Sequence, residues 1–133
     1  MSRRILLVDD EVSLRSIIAR VLRLEEYEVT EASDGFEAWG LAKKTRFDLL
    51  ITDSLMPHLS GSELVTRLRE LYPTLPILRI SGSRSEGMPR GVATLVKPFL
   101  IVDLVAAVRA LLGGESLRAR PHPLTPEKRP VLG

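Results

Sequence analysis

Close to its start the chain reads Ile5-Leu6-Leu7-Val8-Asp9-Asp10, a short continuous apolar run that ends in two adjacent acids. Such a run is typical of a β-strand that is buried on both faces, as strands are in a parallel sheet. Apolar residues then recur at helical spacing from Val12 to Leu22, which predicts a helix directly after the strand. A strand followed by a helix is the unit from which parallel sheets are built.

The same alternation continues through most of the chain. Four further strands are predicted by apolar or β-branched segments, at 28–32, 49–51, 77–80 and 94–96. The connections between them are short and several carry helical periodicity. This pattern predicts an α/β domain with a doubly wound, five-stranded parallel sheet that is covered by helices on both faces.

The later helices have recognisable starts and ends. Asp34 and Ser60 are each followed three positions later by Glu, the spacing of a capping box. Phe36, Trp39 and Ala42 follow the first of these at helical spacing, and Trp39 is predicted to pack in the core. A last amphipathic helix is predicted over 102–112, and Gly113-Gly114 ends it.

The connection between the fourth and fifth strands is unusual. It contains Gly82, Gly87, Pro89 and Gly91, and these residues interrupt any helix after about one turn. We therefore expect the fourth helix to be shortened or replaced by a loop, with one turn near 84–86.

Composition limits the functions that the chain can have. It has 133 residues, 44% of them apolar, and no cysteine. The absence of cysteine excludes disulfides, thiolate zinc sites and cysteine nucleophiles. No apolar run approaches the roughly 20 residues of a membrane span, and the apolar start is too short for a signal peptide. We expect a cytoplasmic protein that does not insert into membranes.

Charge and composition divide the chain into two parts. Residues 1–112 contain 15 Lys or Arg and 15 Asp or Glu, whereas residues 113–133 contain four basic and two acidic residues. The tail holds four of the nine prolines. We expect a folded domain over 1–112 and a disordered, Pro-rich basic tail or linker over 113–133, with no output domain. A neutral body does not favour direct nucleic-acid binding.

Polar residues follow four of the five predicted strands, and in a doubly wound sheet such positions meet at one edge. Asp9 and Asp10 follow the first strand, Asp53 the third, Ser81 the fourth and Lys97 the fifth. Each residue singly has an ordinary explanation as a cap, a turn residue or a surface lysine. Three neighbouring acids repel one another unless a cation relieves them, and their oxygens suit Mg²⁺. With Lys97 and Ser81 they would form a site for a phosphoryl group.

These residues lie within five segments that together resemble the receiver domain of two-component response regulators (CheY-like). The resemblance covers about residues 3–112, and it implies a flavodoxin-like fold. The segments are Ile5–Glu11, Leu50–Pro57, Ser60-Gly61, Ile80–Gly82 and Val96–Phe99.

The resemblance implies a role for each acid. Asp53 would be the phospho-acceptor, attacking the phosphohistidine of a histidine kinase or phosphotransfer protein. Asp10 would bind Mg²⁺ directly and Asp9 would do so through water. Asp53 and the backbone carbonyl of Leu55 would complete the protein ligands.

The resemblance also assigns the remaining site residues. Lys97 would pair with the phosphoryl oxygens, and a cis bond to Pro98 would direct it into the cleft. Ser81 would hydrogen-bond the phosphoryl group and carry the conformational switch. Gly61 would allow a tight turn at the start of the third helix. The product would be a labile acyl phosphate, so the protein would be a switch and not a turnover enzyme.

The sequence departs from the family pattern at two places that bear on the conformational switch and on dimerisation. Thr94 stands where the family usually has an aromatic switch residue, and a shortened fourth helix removes part of a common dimerisation face. We therefore expect a monomer or weak dimer. Arg15, Arg20 and Arg23 on the first predicted helix could face an acidic partner, or could form a solvated helix face.

Other functions remain open from the residues alone. The chain could be an inactive receiver-like module that binds proteins. A hydrolase with an aspartyl nucleophile would need a second acid at position 55, where Leu55 stands. A nucleotide-binding domain would need a glycine-rich loop after the first strand, which the sequence lacks.

Overall fold

The computed structural model describes residues 2–56, 59–82 and 91–113, and these residues contain five strands and four helices. The strands are β1 (Arg4–Val8), β2 (Glu28–Ala32), β3 (Leu49–Asp53), β4 (Ile77–Ser81) and β5 (Ala93–Val96). The helices are α1 (Val12–Leu24), α2 (Gly35–Lys44), α3 (Gly61–Leu71) and α4 (Ile101–Leu112). Within these ranges no helix combines the length and the apolar character that crossing a bilayer requires.

The strands form one parallel sheet in the order β2-β1-β3-β4-β5. Two separate apolar cores cover its faces, one built with residues of α1 and α4 and the other with residues of α2 and α3. This confirms the predicted doubly wound, flavodoxin-like sheet.

The central strands β1 and β3 send successive side chains to opposite cores. Leu7 and Ile51 pack with Ile18 and Leu104 on the α1 and α4 side, whereas Leu6 packs on the α2 and α3 side. Side chains that are fully buried in this way contribute about 1.5–3 kcal/mol each to stability. The double burial explains why these strands are apolar without alternation.

The starts of α2 and α3 are held by the residues that the spacing predicts. The Glu37 backbone N–H donates to Asp34 Oδ1 at 2.9 Å. Ser60 and Glu63 form a reciprocal capping box, with the Glu63 N–H donating to Ser60 Oγ at 3.2 Å. Both helices are thereby fixed at their N-termini, which lie at the same edge of the sheet as the carboxyl ends of the strands.

Two apolar residues at helical spacing and one helix boundary differ from a simple interpretation of the sequence. Phe36 of α2 is 54% exposed, and Ile17 of α1 is 52% exposed. Helical spacing identifies the inward direction but not how far the neighbouring core extends. The last helix begins at Ile101, one residue earlier than predicted, and Asp103 lies in its first turn.

The connection between β4 and β5 spans residues 82–92. Its described residues, Gly82, Gly91 and Val92, form no helix, which fits a shortened fourth helix. The turn expected near 84–86 lies outside the described residues. So does the tail from 114 onward, while Gly113, with φ 76°, is the C-cap of α4.

Candidate functional site

One edge of the sheet gathers the polar residues that follow the strands. Asp53 ends β3 and Ser81 ends β4. Asp53 pairs in register with Ile80, and Ser81 pairs with Val96, which directly precedes Lys97. The parallel register therefore places these side chains along a single rim.

Three carboxylates converge on this rim. One oxygen each of Asp9, Asp10 and Asp53 lies within 4.8 Å of the other two. Asp9 is 1% and Asp53 8% exposed, whereas Asp10 is exposed to solvent. The cluster thus has two buried acids and one acid that opens to water.

Asp9 combines burial with incomplete hydrogen bonding. Its Oδ1 accepts from the Glu11 backbone N–H at 2.9 Å, whereas its Oδ2 has no hydrogen-bond partner among the described residues. Burial raises the pKa of Asp9 to about 6, and repulsion from Asp53 adds to this shift against the opposing hydrogen bond. An ionised Asp9 is therefore costly here unless a cation accompanies it.

Asp53 has a cation beside it. The Lys97 Nζ lies 3.8 Å from Asp53 Oδ2, and the Leu55 backbone N–H lies 3.5 Å from Asp53 Oδ1. Burial raises the pKa of Asp53, and the charge of Lys97 opposes that rise. Lys97 thus favours the ionised carboxylate, which is the nucleophilic form.

Lys97 is held by its backbone. Its N–H donates to the Ser81 carbonyl at 2.7 Å, and the Lys97–Pro98 peptide bond is cis. Ser81 itself is fully buried. The lysine and the serine are therefore joined at the rim through the β4–β5 pairing.

The donor set fits a hard divalent cation. Mg²⁺ prefers carboxylate oxygens and retains several waters. The unpartnered Oδ2 of buried Asp9 supplies an oxygen that a cation or its bound water would satisfy. The exposed side of Asp10 leaves space for the retained waters.

Gly61 is needed for a reason that differs from the sequence expectation. It is the first residue of α3, and its φ is not in the positive range. A Cβ at this position would collide with the Asp53 carbonyl oxygen and lie 3.0 Å from the Ser54 Cα. The glycine allows α3 to approach the backbone that carries Asp53, and it does not serve a left-handed turn.

The structure adds two residues that the motifs did not single out. Ser54 is buried beside Asp53, and its Oγ has no hydrogen-bond partner among the described residues. The Arg15 guanidinium donates to the Asp9 carbonyl at 2.8 Å and pairs with Glu31 at 3.0 Å. No local pattern links residues 9, 15 and 31, so sequence reasoning could not find this contact.

The structure bears on the prediction that the arginines of α1 could face an acidic partner. Arg15 pairs with Glu31, and Arg23 lies 3.4 Å from the same carboxylate. Two of the three candidate arginines are therefore used within the chain.

Comparison with known proteins supports the resemblance. Residues 5–109 match the model of the response regulator receiver domain. The chain is 40% identical over 117 residues to the transcriptional regulatory protein PrrA of Mycobacterium leprae, with 84% of the chain and 50% of that protein covered. The chain thus spans about half the length of the curated relatives that it matches.

Solved structures show the same architecture. The receiver domain of the hybrid histidine kinase CckA matches with a TM-score of 0.73 and 41% identity, covering 82% of this chain and 98% of that one. The response regulator protein TrrA of Thermotoga maritima, solved in complex with Mg²⁺ and BeF, matches with a TM-score of 0.76 and 31% identity. Here too, 82% of this chain and 98% of the other are covered.

Proposed function

This chain belongs to the response regulator receiver domain family, and on that premise we propose that it accepts a phosphoryl group on Asp53 and changes conformation in response. The donor is the phosphohistidine of a histidine kinase or a phosphotransfer protein. The observation that carries the proposal is the placement of a buried Asp53 beside both Lys97 and a pair of further acids.

The proposed reaction is a displacement at phosphorus. A carboxylate oxygen of Asp53 forms a bond to phosphorus while the bond from phosphorus to the donor imidazole nitrogen breaks, and the imidazole leaves with the bonding pair. The product is an acyl phosphate, which water can hydrolyse. Asp53 must be ionised to attack, and Lys97 at 3.8 Å favours that state.

The three acids are proposed to hold Mg²⁺. Asp10 would bind it directly, Asp9 through water, and Asp53 and the Leu55 carbonyl would complete the protein ligands. Bound Mg²⁺ would neutralise charge on the transferring phosphoryl oxygens. Lys97 would pair with the same oxygens from the β5 side of the rim.

Ser81 and Lys97 are proposed to transmit the effect of phosphorylation at Asp53 to the end of β4 and the connection after it. Phosphorylation adds almost two negative charges beside residues that are joined by the Lys97 N–H to Ser81 carbonyl bond. A hydrogen bond from the Ser81 hydroxyl to the phosphoryl group would shift the end of β4 and the connection after it. Differential contacts of this kind typically couple two states by about 1–3 kcal/mol.

The remaining assignments follow from this role. The protein would act in the cytoplasm as a regulatory switch and not as a turnover enzyme, and would lose its phosphoryl group by hydrolysis. It would be a monomer or a weak dimer, with residues 113–133 as a tail or linker.

Acetyl phosphate with Mg²⁺, followed by intact-mass measurement, tests the proposal. The wild-type chain should gain one phosphoryl group, and Asp53→Ala should gain none. Glu70→Gln, an exposed substitution on α3, is the control and should behave as wild type. An adduct that persists in Asp53→Ala would refute the assignment of the acceptor. No adduct and no Mg²⁺ affinity would favour the inactive binding module.

A further inference from the structure

On the outer surface of α2 and α3, basic side chains make cation–π contacts with aromatic rings. The Lys43 Nζ lies 5.3 Å and the Arg67 guanidinium 5.8 Å from the centre of the Trp39 ring. The Arg46 guanidinium lies 5.2 Å from the centre of the Tyr72 ring. These five residues are here called the basic-aromatic surface.

This surface lies away from Asp53. The helices run back along the sheet from the rim where the strands end, so their last turns lie at the opposite edge. Lys43 is in the last turn of α2, and Tyr72 is the C-cap of α3. The part of the surface formed by Lys43, Arg46 and Tyr72 therefore lies at the opposite edge of the sheet from the proposed phosphorylation site, while Trp39 and Arg67 lie in the middle of their helices.

The three cations are exposed and have no carboxylate partner among the described residues. The opposite side of the sheet differs, because its described arginines are largely paired. Those ion pairs are Arg15–Glu31, Arg23–Glu31 and Arg109–Glu25.

The acids of α2 and α3 do not neutralise the surface. Glu37 accepts hydrogen bonds from Ser33, and Glu63 accepts them from Ser60. Both acids lie in the first turn of their helix, and Glu63 lies one turn before the arginine that α3 contributes to this surface. Glu70, in the last turn of α3, is exposed and forms no ion pair with the three cations. The positive charge of the basic-aromatic surface is therefore available to an external group.

The two aromatic side chains of this surface are also fixed by contacts within the chain itself. The Tyr72 hydroxyl donates to the Ala42 carbonyl at 2.9 Å, which links the end of α3 to α2. Trp39 and Tyr72 are half-buried and pack on the core between these helices. Trp, Tyr and Arg are the residue types enriched where protein interfaces gain most of their affinity, and preorganised side chains lose less entropy on binding.

We propose that the basic-aromatic surface docks an acidic segment of a partner protein. The carboxylates of such a segment would pair with Lys43, Arg46 and Arg67, and its apolar atoms would contact the exposed parts of the two rings. This inference does not depend on phosphorylation of Asp53 and goes beyond it.

A protein partner fits these observations better than nucleic acid. Residues 1–112 contain 15 basic and 15 acidic residues, whereas nucleic-acid binders usually carry an extended basic face. The rings that could stack on bases already lie against cations of the chain itself. A short run of carboxylates matches a small patch of three cations.

The test measures binding of a labelled, glutamate-rich synthetic peptide by fluorescence anisotropy. Trp39 is the only tryptophan of the chain, so a saturable change in its emission would locate the peptide at this surface. Affinity should fall with added salt, and Arg67→Glu and Lys43→Glu should each weaken it by about tenfold. Arg67→Gln preserves a helix-compatible, uncharged side chain and should weaken binding less.

Arg20→Glu is the matched control, because Arg20 is exposed on α1 on the other side of the sheet. It makes the same change in net charge and should leave the affinity unchanged. Equal weakening by Arg20→Glu, or peptide binding without a change in Trp39 emission, would overturn the proposal. So would tighter binding of a single-stranded oligonucleotide of equal charge. Acetyl phosphate labelling of Asp53 should be unchanged in Arg67→Glu, which separates this test from that of the proposed function.

Discussion

At the scale of single residues, Asp9 shows the conflict between burial and charge most clearly. Its side chain is almost inaccessible, one of its oxygens has no partner among the described residues, and Asp53 lies beside it. The pKa of Asp9 is raised to about 6, chiefly by burial. The folded chain therefore binds this proton more tightly than the unfolded chain does.

The sign of the pH dependence follows from this difference. Since the pKa of Asp9 is about 6 in the folded chain and 3.8 for an unperturbed aspartate, the contribution of Asp9 to the free energy of unfolding is fully present below about pH 4. It is lost as the pH rises through 6. Without metal, Asp9→Asn should therefore raise the free energy of unfolding at pH 7.5 by about 2 kcal/mol, measured by urea denaturation in EDTA.

The same substitution should have little effect at pH 4, where Asp9 is already protonated. Glu70→Gln provides the comparison for loss of one exposed acid and should leave the pH profile unchanged. A stabilisation by Asp9→Asn that is equal at both pH values would contradict the assignment to ionisation of Asp9.

Gly61 provides a second prediction at this scale. Gly61→Ala should destabilise the domain by about 2 kcal/mol, because the new Cβ would collide with backbone at Asp53 and Ser54. Gly40→Ala is the matched control, since nothing lies within 4 Å of a Cβ there. In the interior of α2 it should instead stabilise by about 0.5–1 kcal/mol. Thermal unfolding of both variants measures the contrast, and equal effects would refute the steric explanation.

At the scale of elements, the helices differ in how their N-termini are satisfied. α2 and α3 have side-chain caps, but α4 begins after Leu100, whose side chain makes no cap hydrogen bond. Leu100 is exposed, and its backbone has the extended conformation of an N-cap residue. The backbone N–H groups in the first turn of α4 therefore receive no hydrogen-bond acceptor from the N-cap side chain.

Leu100→Ser should stabilise the domain by about 1 kcal/mol, because the hydroxyl can accept a hydrogen bond from the first turn of α4. Val102→Ser replaces a neighbouring exposed apolar residue inside the helix and cannot cap it. That variant should be neutral or slightly destabilising. A chemical denaturation series separates them, and a gain in both would point to removal of exposed apolar surface as the cause.

The elements were largely predictable because their signals are local. Apolar runs, cap spacings and glycine stops lie within a few residues of the structure they predict, and the ends of parallel strands necessarily share an edge. Contacts between distant elements were not predictable. Three contacts require knowing which elements are neighbours: the collision that Gly61 avoids, the bond from Arg15 to the Asp9 carbonyl, and the position of the Arg67 guanidinium over Trp39.

Arg79 illustrates the same limit within one strand. It lies in β4 and is buried, with its Nε donating to Thr94 Oγ1 at 3.2 Å. Its position between apolar residues correctly indicates a strand, but a charged side chain would ordinarily be placed in solvent. The pairing of β4 with β5 brings Thr94 opposite it, and that partner is fifteen residues away in sequence.

At the scale of the whole molecule, metal binding and folding should be coupled. Mg²⁺ that binds only the folded chain adds about 1.4 kcal/mol for each tenfold excess over its Kd. Millimolar Mg²⁺ should therefore raise the unfolding temperature at pH 7.5. The rise should shrink as the pH falls below about 6, because Asp9 then takes up a proton that competes with the metal.

Asp53→Ala and Asp10→Asn remove one ligand each and should reduce the rise in unfolding temperature. Asp48→Asn, an exposed acid outside the cluster, should retain it. A rise of equal size in all four proteins would show that Mg²⁺ acts elsewhere on the surface.

The five-residue strands β1, β3 and β4 are about 16 Å long at 3.3 Å per residue, and they separate the rim with Asp53 from the opposite edge, where α2 and α3 end. A short acidic segment bound near the ends of α2 and α3, as proposed above, would therefore not cover the carboxylate rim. In that case the domain could remain anchored to one protein through successive rounds of modification at Asp53.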